Sequence, residues 1–394
     1  MTKINEILTR GVDEIIVKNS LETRLQSNKK LTVKLGIDPT GAELHLGHAV
    51  VLRKLREFQD LGHQIVLVIG DFTAKIGDPS GRTEERKSLT DQQIRKNMKT
   101  YKEQAGKILD IEKVKFVHNS TWFKKIGLKG VLELASKATF AQIFERKEFR
   151  ARLKYGQDIP MLEMLYPLMQ GYDSVELKAD VELGGTDQKF NLLMGRQIQK
   201  RYGQKPQDLV IMRLLSGTDG AKMSQSANNY ISLTADPFDM YGKIMSISDE
   251  LLPEYYELCT NIPQREINSI KNTVKRGGAE VFNLKKKLAK TIVELYHPDR
   301  AAEQAESNFE KVHQKGEYKE SQIIQATIPA GPYKPIDIPL MSGATTSTAH
   351  AKELIQAGAV ERDGEKITDL SQKIELKPGE VLRIGKKRFV KVKK

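Results

Sequence analysis

The chain has 394 residues, enough for two or three domains, and its single cysteine, Cys259, excludes an intramolecular disulfide and a thiolate-rich zinc site. Apolar residues make up 39% of it, and nothing approaches the roughly 18 consecutive apolar positions needed to span a bilayer, which excludes an integral membrane protein. A formal net charge of +13 points to an anionic partner, a polyphosphate or a nucleic acid, without choosing between them.

In chain order, Met1 to Lys18 is interrupted by Asp13 and Glu14 and lacks the apolar run of a secretory leader, so a cytoplasmic location is expected. Alternating strand and helix patterns then predict an α/β, Rossmann-like parallel-sheet domain over residues 1–233. Its first unit is a strand from Leu31 to Ile37, a break at Asp38-Pro-Thr-Gly41, a helix with Leu46, Val50, Val51, Leu55, Phe58 and Leu61 on one side, and a buried strand from Gln64 to Gly70. From residue 234 to 313 strand signals vanish, and Val281, Leu284, Leu288, Ile292 and Leu295 recur at helical spacing, predicting a helical domain. Prolines from Pro329 to Pro339 suggest an extended linker over 314–335. Residues 336–394 read as a small α+β module: a helix from Ala351 to Val360, a hairpin turn at Asp363-Gly364, and strands ending in Lys386, Lys387, Arg388, Lys391, Lys393 and Lys394.

The chemistry concentrates in Asp38-Pro-Thr-Gly-Ala-Glu-Leu-His-Leu-Gly-His48, where the first strand hands over to its helix and where open α/β sheets bind ligands. His45 and His48 share one face of the helix's first turn, where free N–H groups favour phosphate, and Gly47 leaves the approach clear. Alone, this pair is as readily a satisfied surface feature. Much later, Gly220-Ala-Lys-Met-Ser-Gln-Ser226 offers a glycine-flanked loop with a lysine and two hydroxyls, suited to closing over a triphosphate and neutralising departing pyrophosphate. Between the two, Tyr166, Gln170 and Asp173 fall at i, i+4 and i+7, which a helix starting near Pro167 would present together.

These motifs resemble those of the class I aminoacyl-tRNA synthetases, with His45-Leu-Gly-His48 standing as HIGH and Lys222-Met-Ser-Gln-Ser226 as KMSKS. Within the class, Gly36-Ile-Asp-Pro-Thr40, Gly70-Asp-Phe-Thr-Ala-Lys-Ile-Gly-Asp-Pro-Ser-Gly81, Tyr166-Pro-Leu-Met-Gln-Gly-Tyr-Asp173 and Gly184-Gly-Thr-Asp-Gln188 are similar to the bacterial tyrosyl branch, over nearly the whole chain. The resemblance implies activation of tyrosine by ATP with Mg²⁺, transfer to tRNA(Tyr), a homodimer, and neither a resident metal nor a tightly bound cofactor. It implies catalytic roles for Thr40, His45, His48 and Lys222, joined by Arg82 and Arg86 from a basic loop. ATP would meet Asp38, Gly47, Gly185, Asp187 on the ribose, Lys222, Met223, Ser224 and Ser226. Tyrosine would meet Gly36, Thr73 and Gln188, with Asp78 on its ammonium group assisted by Tyr166 and Gln170, and Asp173 on its phenol hydroxyl. The last module is similar to an RNA-binding domain shared with a ribosomal small-subunit protein.

Two positions depart from the family pattern. Lys34 stands where the best-studied branch has a tyrosine that also contacts the phenol, which leaves Asp173 as the secure contact. Gln225 replaces the second lysine of KMSKS, and Arg82 and Arg86 are the candidates to compensate. Among rival readings, a tryptophan-specific synthetase has no use for Asp173, a simple nucleotidyltransferase leaves Lys222 and the last module unexplained, and an RNA-splicing protein on this scaffold could dispense with His45, His48, Asp78 and Lys222, all of which are present.

Overall fold

The computed structural model describes residues 3–27, 29–81, 89–314, 324–345, 347–362, 365–371, 373–385 and 388–393. Residues 1–305 form one compact unit and residues 306–394 another.

In the first unit, aliphatic and β-branched runs make β1 (Val12–Ile16), β2 (Thr32–Ile37), β3 (Gln64–Ile69), β4 (Val114–His118), β5 (Val181–Gly185) and β6 (Asp208–Met212), ordered β1-β6-β5-β2-β3-β4. Every pairing is parallel except that of β1 with β6. Strands β5 and β6 are buried along their whole length, and β6 accordingly carries the continuous apolar run Leu209-Val-Ile-Met212. The chain steps from β2 to β3 to β4, then returns to lay β5 on the other side of β2. A crevice therefore opens beyond the C-terminal ends of β2 and β5.

Helix α1 (Leu46–Asp60) crosses from β2 to β3 and buries Leu46, Val50, Leu52, Leu55 and Phe58. Helices α2 (Met161–Leu177) and α3 (Lys189–Arg201) pack so closely that a Cβ on Gly171 would come within 3.1 Å of the Gly195 Cα. The start expected for α2 near Pro167 is corrected to Met161. The sequence offers two prolines here; Pro160 precedes the first turn, and Pro167 lies inside the helix, where it deprives the Glu163 carbonyl of an intrahelical donor.

The stretch expected to be helical carries Pro237–Met245, Leu252–Cys259, Gln264–Arg276, Ala279–Tyr296 and Ala301–Gln314. As far as Ala305 it belongs to the same compact unit as the sheet, so residue 233 marks a change in the kind of secondary structure within that unit. The reason is visible in the cross-links: the Arg10 guanidinium donates to the carbonyls of Ile262 at 2.7 Å and Thr260 at 2.5 Å, and Lys107 Nζ donates to the Tyr296 carbonyl at 2.7 Å.

The second unit holds β7 (Ile324–Pro329), β8 (Gly331–Tyr333), the helix Thr348–Gln356, β9 (Val360–Arg362), β10 (Glu365–Lys366), β11 (Ile374–Leu376), β12 (Val381–Ile384) and β13 (Arg388–Lys393). Sheet order is β10-β9-β12-β13-β7, with β8 and β11 paired apart, around Ile328, Ile338, Ile355, Val360, Leu382 and Val390. Two expectations change. Part of the assigned linker is strand: β7 runs parallel to β13, and Pro329 is tolerated because β7 is an edge strand. The helix expected to reach Val360 ends at Gln356, since Gly358 turns the chain at φ +64°. The Asp363-Gly364 turn lies outside the described residues, although the flanking β9 and β10 pair antiparallel. No helix among the described residues is long and apolar enough to cross a membrane.

One polar contact ties β2, β5 and α2 together. Lys34 and Glu182 are register partners on adjacent strands, 0% and 1% exposed, with Nζ 3.0 Å from Oε1. Lys34 Nζ also donates to Ser174 Oγ at 2.7 Å and to the Gln170 carbonyl at 3.1 Å, which uses all three ammonium protons. Gln170, Ser174 and Gln207 donate to Glu182 in turn. Removing one partner strands the other charge, so Lys34→Met should lower stability by about 3–5 kcal/mol, whereas adding Glu182→Leu to it should restore much of the loss. Urea denaturation of both variants checks this; equal destabilisation by the single and double changes would refute the pairing.

Candidate active site

Three strand ends meet at one cavity of about 540 Å³. β2 delivers Gly36 and Asp38, β3 is followed by Gly70 and Thr73, and β5 delivers Gly185 ahead of Asp187 and Gln188. Every residue expected in the site that lies in the described residues lines this cavity: Gly36, Asp38, Thr40, His45, Gly47, His48, Thr73, Asp78, Tyr166, Gln170, Asp173, Gly185, Asp187, Gln188, Lys222, Met223, Ser224 and Ser226. Arg82 and Arg86 lie outside the described residues.

At one end, His45 caps α1 with extended backbone. Its Nδ1 accepts from Gly47 N–H at 3.2 Å, its own N–H donates to His48 Nδ1 at 3.2 Å, and the rings are 3.9 Å apart. A Cβ at Gly47 would come to 3.0 Å from the His45 ring, so the glycine makes room for the pair. With both Nδ1 atoms accepting, the proton of each neutral ring sits on Nε2. Burial is the main reason the rings stay neutral: it pushes His45 down to about 2, helped by His48 and Lys222, and His48 down to about 4, helped by Lys222. They are hydrogen-bond donors and not cations. Lys222 is the only lysine or arginine among the described residues lining the cavity, and its Nζ lies 2.5 Å from Asp187 Oδ2.

At the other end, Asp173 is buried, with Oδ1 accepting from Trp122 Nε1 at 2.9 Å and Oδ2 from Asn119 Nδ2 at 3.5 Å. Burial raises it to about 7 against the opposing pull of Lys34, Trp122 and Asn119. Asp78 Oδ1 accepts from Ser80 N–H, Ser80 Oγ and Asn191 Nδ2, and its Oδ2 from Gln188 Nε2 at 2.6 Å. Behind them, the buried Arg146 lies between the Phe149 and Phe190 rings and donates to Ser80 Oγ at 2.8 Å and Asn191 Oδ1 at 2.9 Å.

Tyr166 and Gln170, expected to assist Asp78 at an ammonium group, are held in the site by other partners: Tyr166 OH donates to Asp38 Oδ2 at 2.9 Å and Gln170 Nε2 to Glu182 at 3.2 Å. Burial and Asp38 hold the Tyr166 phenol well above its usual range, so it remains a donor. Lys34, at the position where the family pattern has a tyrosine, has its protons engaged by Glu182, Ser174 and Gln170. The supporting residues Asn119, Trp122, Asn191, Ser80 and Arg146 were not anticipated. For Asn119 a signal existed, since it directly follows β4, at the same sheet edge as Asp38 and Gly70.

The family model described as tRNA synthetases class I (W and Y) matches residues 26–314. The tyrosine–tRNA ligase of Moorella thermoacetica is 46% identical over 391 residues, 98% of this chain and 94% of that one. The ligase of Thermotoga maritima is 46% identical over 388 residues, 98% and 96% of the two chains. Among solved structures, the tyrosyl-tRNA synthetase of Archaeoglobus fulgidus complexed with L-tyrosine superposes with a TM-score of 0.63 over 77% of this chain and 98% of that one, at 23% identity, a likeness of fold. With the motif residues gathered at one cavity and near-half identity sustained end to end, the chain belongs to the bacterial tyrosine–tRNA ligases of the class I aminoacyl-tRNA synthetases.

Proposed function

We propose that the protein activates L-tyrosine with ATP to tyrosyl-adenylate and pyrophosphate, then transfers tyrosine to the 3′ end of tRNA(Tyr) for protein synthesis, as a cytoplasmic homodimer. One observation carries this reading: a buried carboxylate, Asp173, shares a single cavity with two neutral imidazoles and a lysine. A carboxylate there suits a phenol; the imidazoles and lysine suit phosphates.

The chemistry requires no nucleophile from the protein. The tyrosine carboxylate attacks the α-phosphorus of ATP, pyrophosphate leaves, and the tRNA ribose hydroxyl later attacks the mixed anhydride. Rate then comes from alignment and from donors aimed at charge developing on the phosphates. His45 and His48 would offer Nε2–H groups, with Thr40 beside them. Mg²⁺ would enter with ATP, carried on its phosphates. Asp187, on the ribose, would give up its bond to Lys222 and so release the ammonium to the departing pyrophosphate. Gly47, Gly185, Met223, Ser224 and Ser226 would complete the nucleotide site, with Arg82 and Arg86 as further cations. Asp78 Oδ2, with one described donor, keeps capacity for the tyrosine ammonium. Gly36, Thr73, Tyr166, Gln170 and Gln188 would line the amino-acid side.

Two further features support the assembly. Leu128, Leu132, Phe140, Tyr155, Met161 and Leu162 are large, apolar and exposed within one stretch of the chain, as suits a contact with a second copy. The second unit, with its basic closing strand, suits RNA.

The deciding experiment is exchange of labelled pyrophosphate into ATP. It should proceed with tyrosine and be at least about a hundredfold slower with tryptophan, which offers no phenol to Asp173; preference for tryptophan would overturn the assignment.

Asp173 also sets a pH dependence. Above about 7 the carboxylate accepts the phenol proton; below it the protonated group must first release its own. The KM for tyrosine should therefore rise by up to roughly tenfold per pH unit below 7. His45 and His48, near 2 and 4, stay neutral in that window. Exchange kinetics from pH 5.5 to 8 check this, and Asp173→Asn should flatten the profile.

Finally, a chain ending at Gln314 should keep pyrophosphate exchange yet charge tRNA at least about tenfold more slowly at low tRNA concentration, with a flatter salt dependence. Ending it at Lys334 instead would strand β7 without β13. Equal retention of both reactions in a truncated protein with a normal melting curve would make the second unit a structural cap.

A further inference from the structure

Glu43 sits between the Asp38 turn and His45, and three groups from the lysine loop and its exit converge on it. Tyr230 OH donates to Oε2 at 2.9 Å, Thr234 Oγ1 lies 3.4 Å from Oε1, and Gln225 Nε2 donates to the backbone carbonyl. The strand-like exit of the loop is pinned alongside: Leu46 N–H donates to the Ile231 carbonyl at 3.0 Å and Leu233 N–H to the Leu44 carbonyl at 2.9 Å. These bonds fix only the loop's base. Gln225, at its tip, lies next to Gly41. A Cβ added to Gly41 would overlap the Gln225 amide, and the nearest atoms it would meet all belong to that side chain. Gly41 does not need its freedom of conformation, because its φ is not positive. The space that a side chain at Gly41 would take is filled by the Gln225 amide.

We propose that Gln225 is a positioning residue: by docking its amide over Gly41 onto the Glu43 carbonyl, it latches the loop closed and holds Lys222 above the phosphate end of the site. This deepens the activation reading and rests on it. A second lysine in place of Gln225 would add charge. The amide adds none; its contribution is the geometry of a neutral hydrogen bond to a carbonyl fixed beside His45. Ser224 N–H, bonded to Asn229 Oδ1 at 2.8 Å, and Met223 N–H, bonded to the Leu215 carbonyl at 3.0 Å, carry that geometry through to Lys222.

Two readouts test the latch. In ligand-free protein, amide hydrogen exchange of the segment 221–228 should quicken about three- to tenfold in Gln225→Ala, the range of one neutral hydrogen bond, while exchange in α1 stays unchanged. In pyrophosphate exchange, Gln225→Ala and the isosteric Gln225→Glu, whose carboxylate has no proton to donate, should both lower kcat about three- to tenfold with the KM for tyrosine unmoved. Gly41→Ala should match them in the wild-type background and add nothing to Gln225→Ala. Unchanged loop exchange in Gln225→Ala, wild-type kcat in Gln225→Glu, or a full additional loss from Gly41→Ala in the double variant would overturn the latch. A wild-type protein that fails tyrosine-dependent exchange, yet whose loop loosens in Gln225→Ala, would sink the activation reading and leave the latch standing.

Discussion

The cavity proposed to take a polyanion and a zwitterion is lined with carboxylates, and what keeps Asp38, Asp78, Asp173 and Asp187 folded into it is a dedicated donor for each. A buried acceptor without a partner costs more than a hydrogen bond returns, so the surrounding sheet and helices must deliver donors to fixed places. Tyr166 and Thr73 meet Asp38, Ser80 and Gln188 meet Asp78, Trp122 and Asn119 meet Asp173, and Lys222 meets Asp187. Beneath them the Lys34–Glu182 pair locks β2 to β5 and α2 at the point where the sheet reverses its order. A change at any of these positions would leave a charge or a polar group without its partner.

The same logic explains why the histidines are neutral. Burial at the first turn of α1 removes their charge, and the backbone contacts at Nδ1 then decide which nitrogen keeps the proton. In the proposed reaction, a pair of cations would bind ATP before and after the step alike. Neutral donors discriminate better, since their hydrogen bonds strengthen most when charge gathers on the phosphate during the step itself.

Much of the site was legible because its chemistry is local in the chain. His45 and His48 declare one helix face, Gly220 to Ser226 declares a loop, and Tyr166, Gln170 and Asp173 declare one side of α2. The parallel fold followed from the alternation of strand and helix. What could not be read was long-range. Trp122 meets Asp173 across 51 residues and Arg146 meets Ser80 across 66, and no spacing rule links them. Lys34 was visible as an oddity, but its answer, Glu182, lies on a strand brought alongside only by folding. Boundaries failed where a single residue type stood for two outcomes: Pro167 for a helix start it does not make, and Pro329 for a linker that is the end of an edge strand.

The pairing of β7 with β13 has a consequence in time. The first strand of the second unit finds its neighbour in that unit's last strand, Phe389 opposite Ile324 and Lys393 opposite Pro329. During synthesis, β7 leaves the ribosome with an open edge and no partner. The module's sheet can close only after β13 has emerged, whereas the sheet of the first unit is complete once β6 has emerged. Folding of this chain is thus ordered by its own topology, with the sheet behind the cavity assembled well before the sheet of the second unit.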